Sequence, residues 1–182
     1  MPLNLAQFRY DDADRTNAAQ WLEAAARDDV RTRLHQIYAD VAEQVTTRAP
    51  ACWASGRCCH FEKTGHRLYT TGLEAAATVL DRAHIPGAPQ LTPEALDRAL
   101  AEGACPFQVA NRCAVHPARP LGCRVYFCDR TAQAWQHELS EHAQAEIRQL
   151  HDEHHIPYHY AEWRYLLGAL LPPPHPLSPL TP

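Results

Sequence analysis

All seven cysteines of this chain fall between Cys52 and Cys128. They run Cys52, Cys58, Cys59, Cys105, Cys113, Cys123 and Cys128, in stretches flanked by Gly, Pro and Arg. Thiols that serve only as small hydrophobes have no reason to gather in loops, so this distribution points to ligation. A thiolate is a soft, charged donor that suits zinc and iron–sulfur iron. A structural zinc takes four such ligands tetrahedrally, and an iron–sulfur cluster usually takes four cysteines. Seven cysteines therefore make one site with ligands to spare, or two sites completed by histidine. His60 directly follows Cys59 and His116 lies three residues after Cys113, which makes them the nitrogen candidates. Adjacent residues in extended chain point to opposite sides. Cys58 and Cys59 thus serve different metals, or one metal in a tight turn.

The expected compartment is the cytoplasm. Met1 to Asp14 has no basic n-region and no apolar h-region, so it is not a signal peptide. No apolar run reaches the roughly 20 residues that span a bilayer. Structural disulfides are rare in a reducing cytoplasm, and the odd cysteine count agrees with free or metal-bound thiols. A net charge of −4 and a pI near 6.3 argue against a broad nucleic-acid surface, which needs a basic stripe. The expected partner is a metal ion, with no membrane or nucleic acid; a protein partner stays open.

Hydrophobic residues make up 46 % of the 182 residues, enough for a core that does not depend on metal alone. The expected fold is mostly α: a small helical domain over 1–171 with the cysteine-rich metal-binding loops at its centre and at most a short β-hairpin. Residues 172–182 are proline-rich and read as a mobile tail. Met1 to Arg15 reads as irregular. Thr16 to about Thr47 reads as helix, broken near Asp28–Asp29, with Val30, Leu34, Ile37, Tyr38 and Val41 on one face. Arg67 to Thr70 suits a short strand. Thr71 and Glu74 form a capping box for a helix that ends before Pro86. Thr92 and Pro93 open the next helix, with Leu91 and Leu96 as a hydrophobic staple, and Gly103 closes it. Phe107–Val109 and Cys113–Val115 suit a hairpin about Asn111–Arg112. Thr131 to His155 reads as a long helix, and Tyr158 to Leu171 as a last one with Tyr160, Trp163, Leu166, Leu167 and Leu170 inward.

The cysteine block resembles the YkgJ-type cysteine-cluster family, a zinc- or iron-chelating domain of bacteria. Cys52-Trp53-Ala54-Ser55-Gly56-Arg57-Cys58-Cys59 matches that family's opening, and Cys105-Pro106-Phe107 its second part. Cys113, Arg119-Pro120, Cys123-Arg124 and Cys128 match the rest. The resemblance covers about Cys52 to Cys128 and implies metal chelation. Ser55 stands where the family usually has a second cysteine, and a hydroxyl is a poor ligand for these metals. A site that used that cysteine has lost a ligand or has recruited His60 or His116. A related cluster occurs in flagellin lysine methylase, which implies the alternative of a redox or protein-modifying enzyme with an iron–sulfur or iron centre.

Other groups carry less. Arg119 and Arg124 travel with the block and suit a role beside thiolates, offsetting their charge. His151 and His155 are four apart at the end of the long helix, a spacing that can hold a metal; a solvated helix end, where histidine suits the dipole, is the simpler reading. His137, Glu138, Glu141 and His142 read as surface pairs. Trp53 suits either a shield over the site or a core anchor. No phosphate-binding glycine loop and no nucleophilic serine elbow is present. The leading expectation is a metal-binding protein.

Overall fold

The computed structural model describes residues 4–51 and 56–172. Among them the chain is mostly helical. The helices are α1 (Asp12–Ala26), α2 (Asp28–Arg48), α3 (Phe61–Thr64), α4 (Gly72–Arg82), α5 (Pro93–Glu102), α6 (Leu121–Arg124), α7 (Gln133–Glu153) and α8 (Trp163–Ala169). Two antiparallel pairs of short strands accompany them: β1 (Tyr69–Thr71) with β4 (Tyr160–Glu162), and β2 (Gln108–Val109) with β3 (Arg112–Cys113). No helix among the described residues is long and apolar enough to cross a membrane.

The first helical segment breaks where the acidic pair suggests. Arg27 takes an extended conformation, and Asp28 and Asp29 then open α2, where negative charge suits the helix N-terminus. Val30, Leu34, Ile37, Tyr38 and Val41 are buried from α2. The start of α1 differs from the expectation. It begins at Asp12, not Thr16, because Asp11 and Asp14 form a reciprocal cap: the Asp14 amide donates to Asp11 at 2.9 Å and the Asp11 amide to Asp14 at 3.1 Å. An aspartate at the third position did what glutamate usually does.

Gly72 brings α4 against α1. A Cβ at this position would lie 2.2 Å from the Trp21 ring, so a larger residue would push the two helices apart. Trp21 is fully buried there and donates its indole N–H to the Pro157 carbonyl at 2.7 Å. Burying a large apolar side chain of this kind stabilises by about 1.5–3 kcal/mol.

Two strand expectations change. The strand at 69–71 exists, but its partner is 160–162, in register Tyr69↔Glu162, Thr70↔Ala161 and Thr71↔Tyr160. The last helix therefore starts at Trp163, not Tyr158, with Glu162 as its cap. Tyr160 is 48 % exposed instead of inward. Its helical spacing from Trp163 and Leu167 was coincidental, because the pairing with β1 sets the local backbone. The hairpin is also real, but Val109 pairs with Arg112. Its turn residues are thus Ala110 and Asn111, both at positive φ, one residue earlier than expected. The segment 173–182, expected as a tail, lies outside the described residues.

Candidate metal centre

Gly56 starts the site. At φ +68 it makes a left-handed turn into a 3-10 helix, Arg57–Cys59. A Cβ on it would meet the Asn111 carbonyl oxygen at 2.1 Å, so the first cysteine loop sits directly on the β2–β3 turn. Gln108 fixes the approach by donating its side-chain amide to the Gly56 carbonyl at 3.0 Å. The Cys105 amide donates to the Cys59 carbonyl at 2.9 Å, and the Cys59 amide to Gly56 at 3.0 Å. Two cysteine loops more than forty residues apart are thereby joined through the backbone at the cysteines themselves. Phe61 and Phe107, both buried, lie behind them, and Phe107 meets Trp163 edge-on at 6.0 Å.

The side chains converge as well. Cys105, Cys113 and Cys58 approach the Cys59 thiol and act on its ionisation. These contacts push its ionisation far up, since it is the group that keeps the proton. Its neighbours gain what it gives. Cys59 brings Cys58 down to about 6 and Cys113 down to about 7, with Arg119 adding to both. Burial pushes Cys123 up, reinforced by Cys105, Cys113 and Cys58 and opposed by Arg119. Cys58 and Cys59 lie in a tight 3-10 turn and not in extended chain.

This pattern predicts reactivity. Cys58 is exposed, whereas Cys59 is buried, and the thiolate is the nucleophile. In metal-free protein, iodoacetamide should label Cys58 first, with a rate that rises through a midpoint near pH 6. At pH 7 it should react about 3-fold faster than an ordinary cysteine, the gain in thiolate outweighing its lower nucleophilicity. Peptide mapping after short exposures reads this directly; uniform labelling of Cys58, Cys59 and Cys123 would contradict it.

The other candidates separate. Cys128 sits at the edge of a cleft of about 520 Å³, beside Tyr126, whose phenol it helps push up after burial itself. His60 shares a hydrogen bond with the Asn111 side chain at 3.1 Å. His116 is engaged by Arg119, and burial followed by the charges of Arg119 and Arg124 lowers its pKa. Cys52, Trp53 and Ser55 lie outside the described residues. Among the described residues, no three His, Cys, Asp or Glu side chains are already spaced as a ligand set for a metal ion.

Arg119 and Arg124 lie as the sequence suggested, beside thiols. Arg119 acts on Cys58, Cys113 and Cys123 through its charge, and its Nε is buried without a hydrogen-bond partner. Arg124 stacks on the Tyr38 ring at 4.1 Å and donates to the Pro117 carbonyl at 2.7 Å.

The histidines near the end of α7 do not share a site. His151 is buried, against the expectation of a solvated helix end, and its Nδ1 meets the Ile156 carbonyl at 3.2 Å. His155 is exposed at positive φ, His154 lies against Arg27 at 2.8 Å, and the His159 ring packs near Trp21. The chain turns sharply at His155, so the four-residue spacing with His151 is lost. His142 pairs with Glu146 at 3.1 Å, on the surface.

Two buried ionic groups hold the frame and escaped the sequence reading. Glu74 is 1 % exposed and accepts five hydrogen bonds: from Tyr38, from the Thr70 and Thr71 hydroxyls, and from the Thr71 and Leu121 amides. The capping box was legible, but not the reach to Leu121, which starts the helix that carries Cys123. Arg164, fully buried, pairs with Glu62 at 2.9 Å and Glu162 at 2.8 Å. Glu62 follows the first cysteine loop, so this pair clamps that loop to α8. No sequence signal marks Arg164 apart from other arginines.

Comparison of the chain with protein-family models, with curated proteins and with solved structures found no match.

Proposed function

We propose that this chain is a metal-binding protein whose cysteine thiolates hold zinc or an iron–sulfur cluster. The observation that carries the reading is the meeting of Cys58, Cys105 and Cys113 on Cys59, from three separate stretches of chain. Metal binding replaces thiol protons with a cation, and thiols already brought near one another are suited to that exchange. Cys123, Cys128 and Cys52 complete the candidate ligand set. The unpartnered Nε of Arg119 supports the reading, because a thiolate centre carries excess negative charge that a guanidinium offsets. The order of the cysteines, which resembles the YkgJ-type family, agrees with it. Free thiols fit a reducing compartment, and we place the protein in the cytoplasm on that ground.

A second reading is favoured by the cleft beside Cys128. Its walls include Tyr126, His66, His137 and Tyr160, and a volume of about 520 Å³ is within the range of small-molecule sites. A redox or protein-modifying enzyme would keep its substrate there, next to the centre.

Metal analysis and visible absorption of protein purified without oxygen test both readings. A colourless protein with one or two zinc atoms per chain is the expected result for a structural or chelating role. Brown protein with iron and acid-labile sulfide would favour the enzyme. Protein that holds neither metal, and takes up neither on reconstitution, would sink both.

A further inference from the structure

A second cleft, with no cysteine in its lining, lies between α2 and the end of α4, with a volume of about 440 Å³. Its floor is apolar, with Ala42, Ile85 and Ala118. Its charged lining is dominated by cationic and imidazole groups: Arg31, Arg124, His35 and His84 against one carboxylate, Asp81. That carboxylate is already engaged, by Arg31 at 2.6 Å and His35 at 2.8 Å. Arg124 is left over. Its guanidinium lies on the Tyr38 ring, gives one hydrogen bond to a carbonyl, and keeps a buried Nε with no partner. Among the described residues it forms no ion pair. The neighbouring carboxylate, Glu74, is saturated by five other donors.

Arg124 is partly exposed at the cleft while its Nε is buried without a partner, and the planar fork of a guanidinium matches carboxylate and phosphate oxygens. We propose that this cleft binds a small molecule bearing an oxyanion, carboxylate or phosphate, with Arg124 as the anchoring contact and the apolar floor under the rest of the ligand. Arg31 and His84 line the same space and add positive or hydrogen-bonding character. The site adjoins the thiolate centre through Arg124, which follows Cys123, but its lining includes no cysteine.

The test uses the purified full chain with its native metal content, and two probes: inorganic phosphate and benzoate. Binding is read by calorimetry and by the rise in melting temperature. Arg31→Gln removes one rim charge. Ala42→Phe fills the floor from an exposed position on α2, leaving the region of Cys123 untouched. In the absence of probe, Ala42→Phe should keep the melting temperature of the parent, and Arg31→Gln, which gives up its ion pair with Asp81, should lower it by no more than about 4 °C. Either probe should bind the parent, and each variant should weaken it by about 10-fold or more. Tighter benzoate than phosphate identifies a carboxylate ligand with an apolar body; the reverse identifies a phosphate. No binding of either probe at about 10 mM, or binding unchanged in both variants, would overturn the proposal.

Discussion

Under the proposed metal-binding function, replacing Cys59 with serine is expected to abolish metal uptake and to lower the melting temperature by about 10 °C or more. Cys59 is the thiol that touches Cys58, Cys105 and Cys113, so its loss opens the centre of the proposed ligand set instead of one corner. A hydroxyl is a hard donor that zinc and iron–sulfur iron bind poorly. A structural zinc contributes roughly 10–16 kcal/mol of apparent binding energy in small domains. Here the helical core stands partly on its own, and a loss of about 3–5 kcal/mol corresponds to the stated shift for a chain of this size. Metal content by elemental analysis and melting with and without chelator separate the two effects. Chelator should bring the parent down to the variant and leave the variant unmoved. A Cys59→Ser protein that keeps full metal content and the parental melting temperature would refute the proposed centre.

The second large effect is expected at Glu74. Alanine there leaves Tyr38, Thr70, Thr71 and the Leu121 amide without their shared acceptor in a site that water does not reach. Removing one member of a buried ionic or hydrogen-bonded group costs about 3–5 kcal/mol, because the orphaned donors carry their full desolvation penalty. Urea unfolding should show that loss. Glutamine should fall between, since it restores one acceptor oxygen but turns an amide N–H₂ toward other donors. The consequence reaches the thiols: Leu121 starts α6, and α6 carries Cys123. In Glu74→Ala, Cys123 should become open to alkylation under conditions where the parent protects it. A variant that loses less than about 1 kcal/mol would mean that the donors find other acceptors.

What was legible in the chain followed from periodicity and punctuation. The break before α2, the cap at Thr71, the start at Thr92 with Pro93 and the stop at Gly103 all rest on local rules, and local rules suffice for them. What was not legible depends on distant partners. The three residues of β4 look helical from their own spacing, and only the pairing with β1 makes them extended. His151 looks like a helix-end residue until the turn at His155 folds Ile156 back onto it. For the centre, composition identified the cysteines, but which thiols meet could not be read from spacing. The gathering of Cys58, Cys59, Cys105 and Cys113 depends on the Cys105–Cys59 backbone bond and on the β2–β3 turn that receives Gly56. Arg164 and the far reach of Glu74 had no sequence signature, since burial of a charge is decided by the whole fold.

The pairing of β1 with β4 also bears on how this protein comes off the ribosome. Thr71 waits for Tyr160, and at about 5–20 residues per second that interval lasts roughly 4–18 s. All seven cysteines have been synthesised before Tyr160 is added, while Arg164, which clamps the first cysteine loop through Glu62, comes later still. From Cys128 to Tyr160, 32 residues or roughly 2–6 s, the nascent chain carries the full set of thiols with no closed frame around them. Protection of those thiols from oxidation is thus set against the clock of synthesis of the last helix.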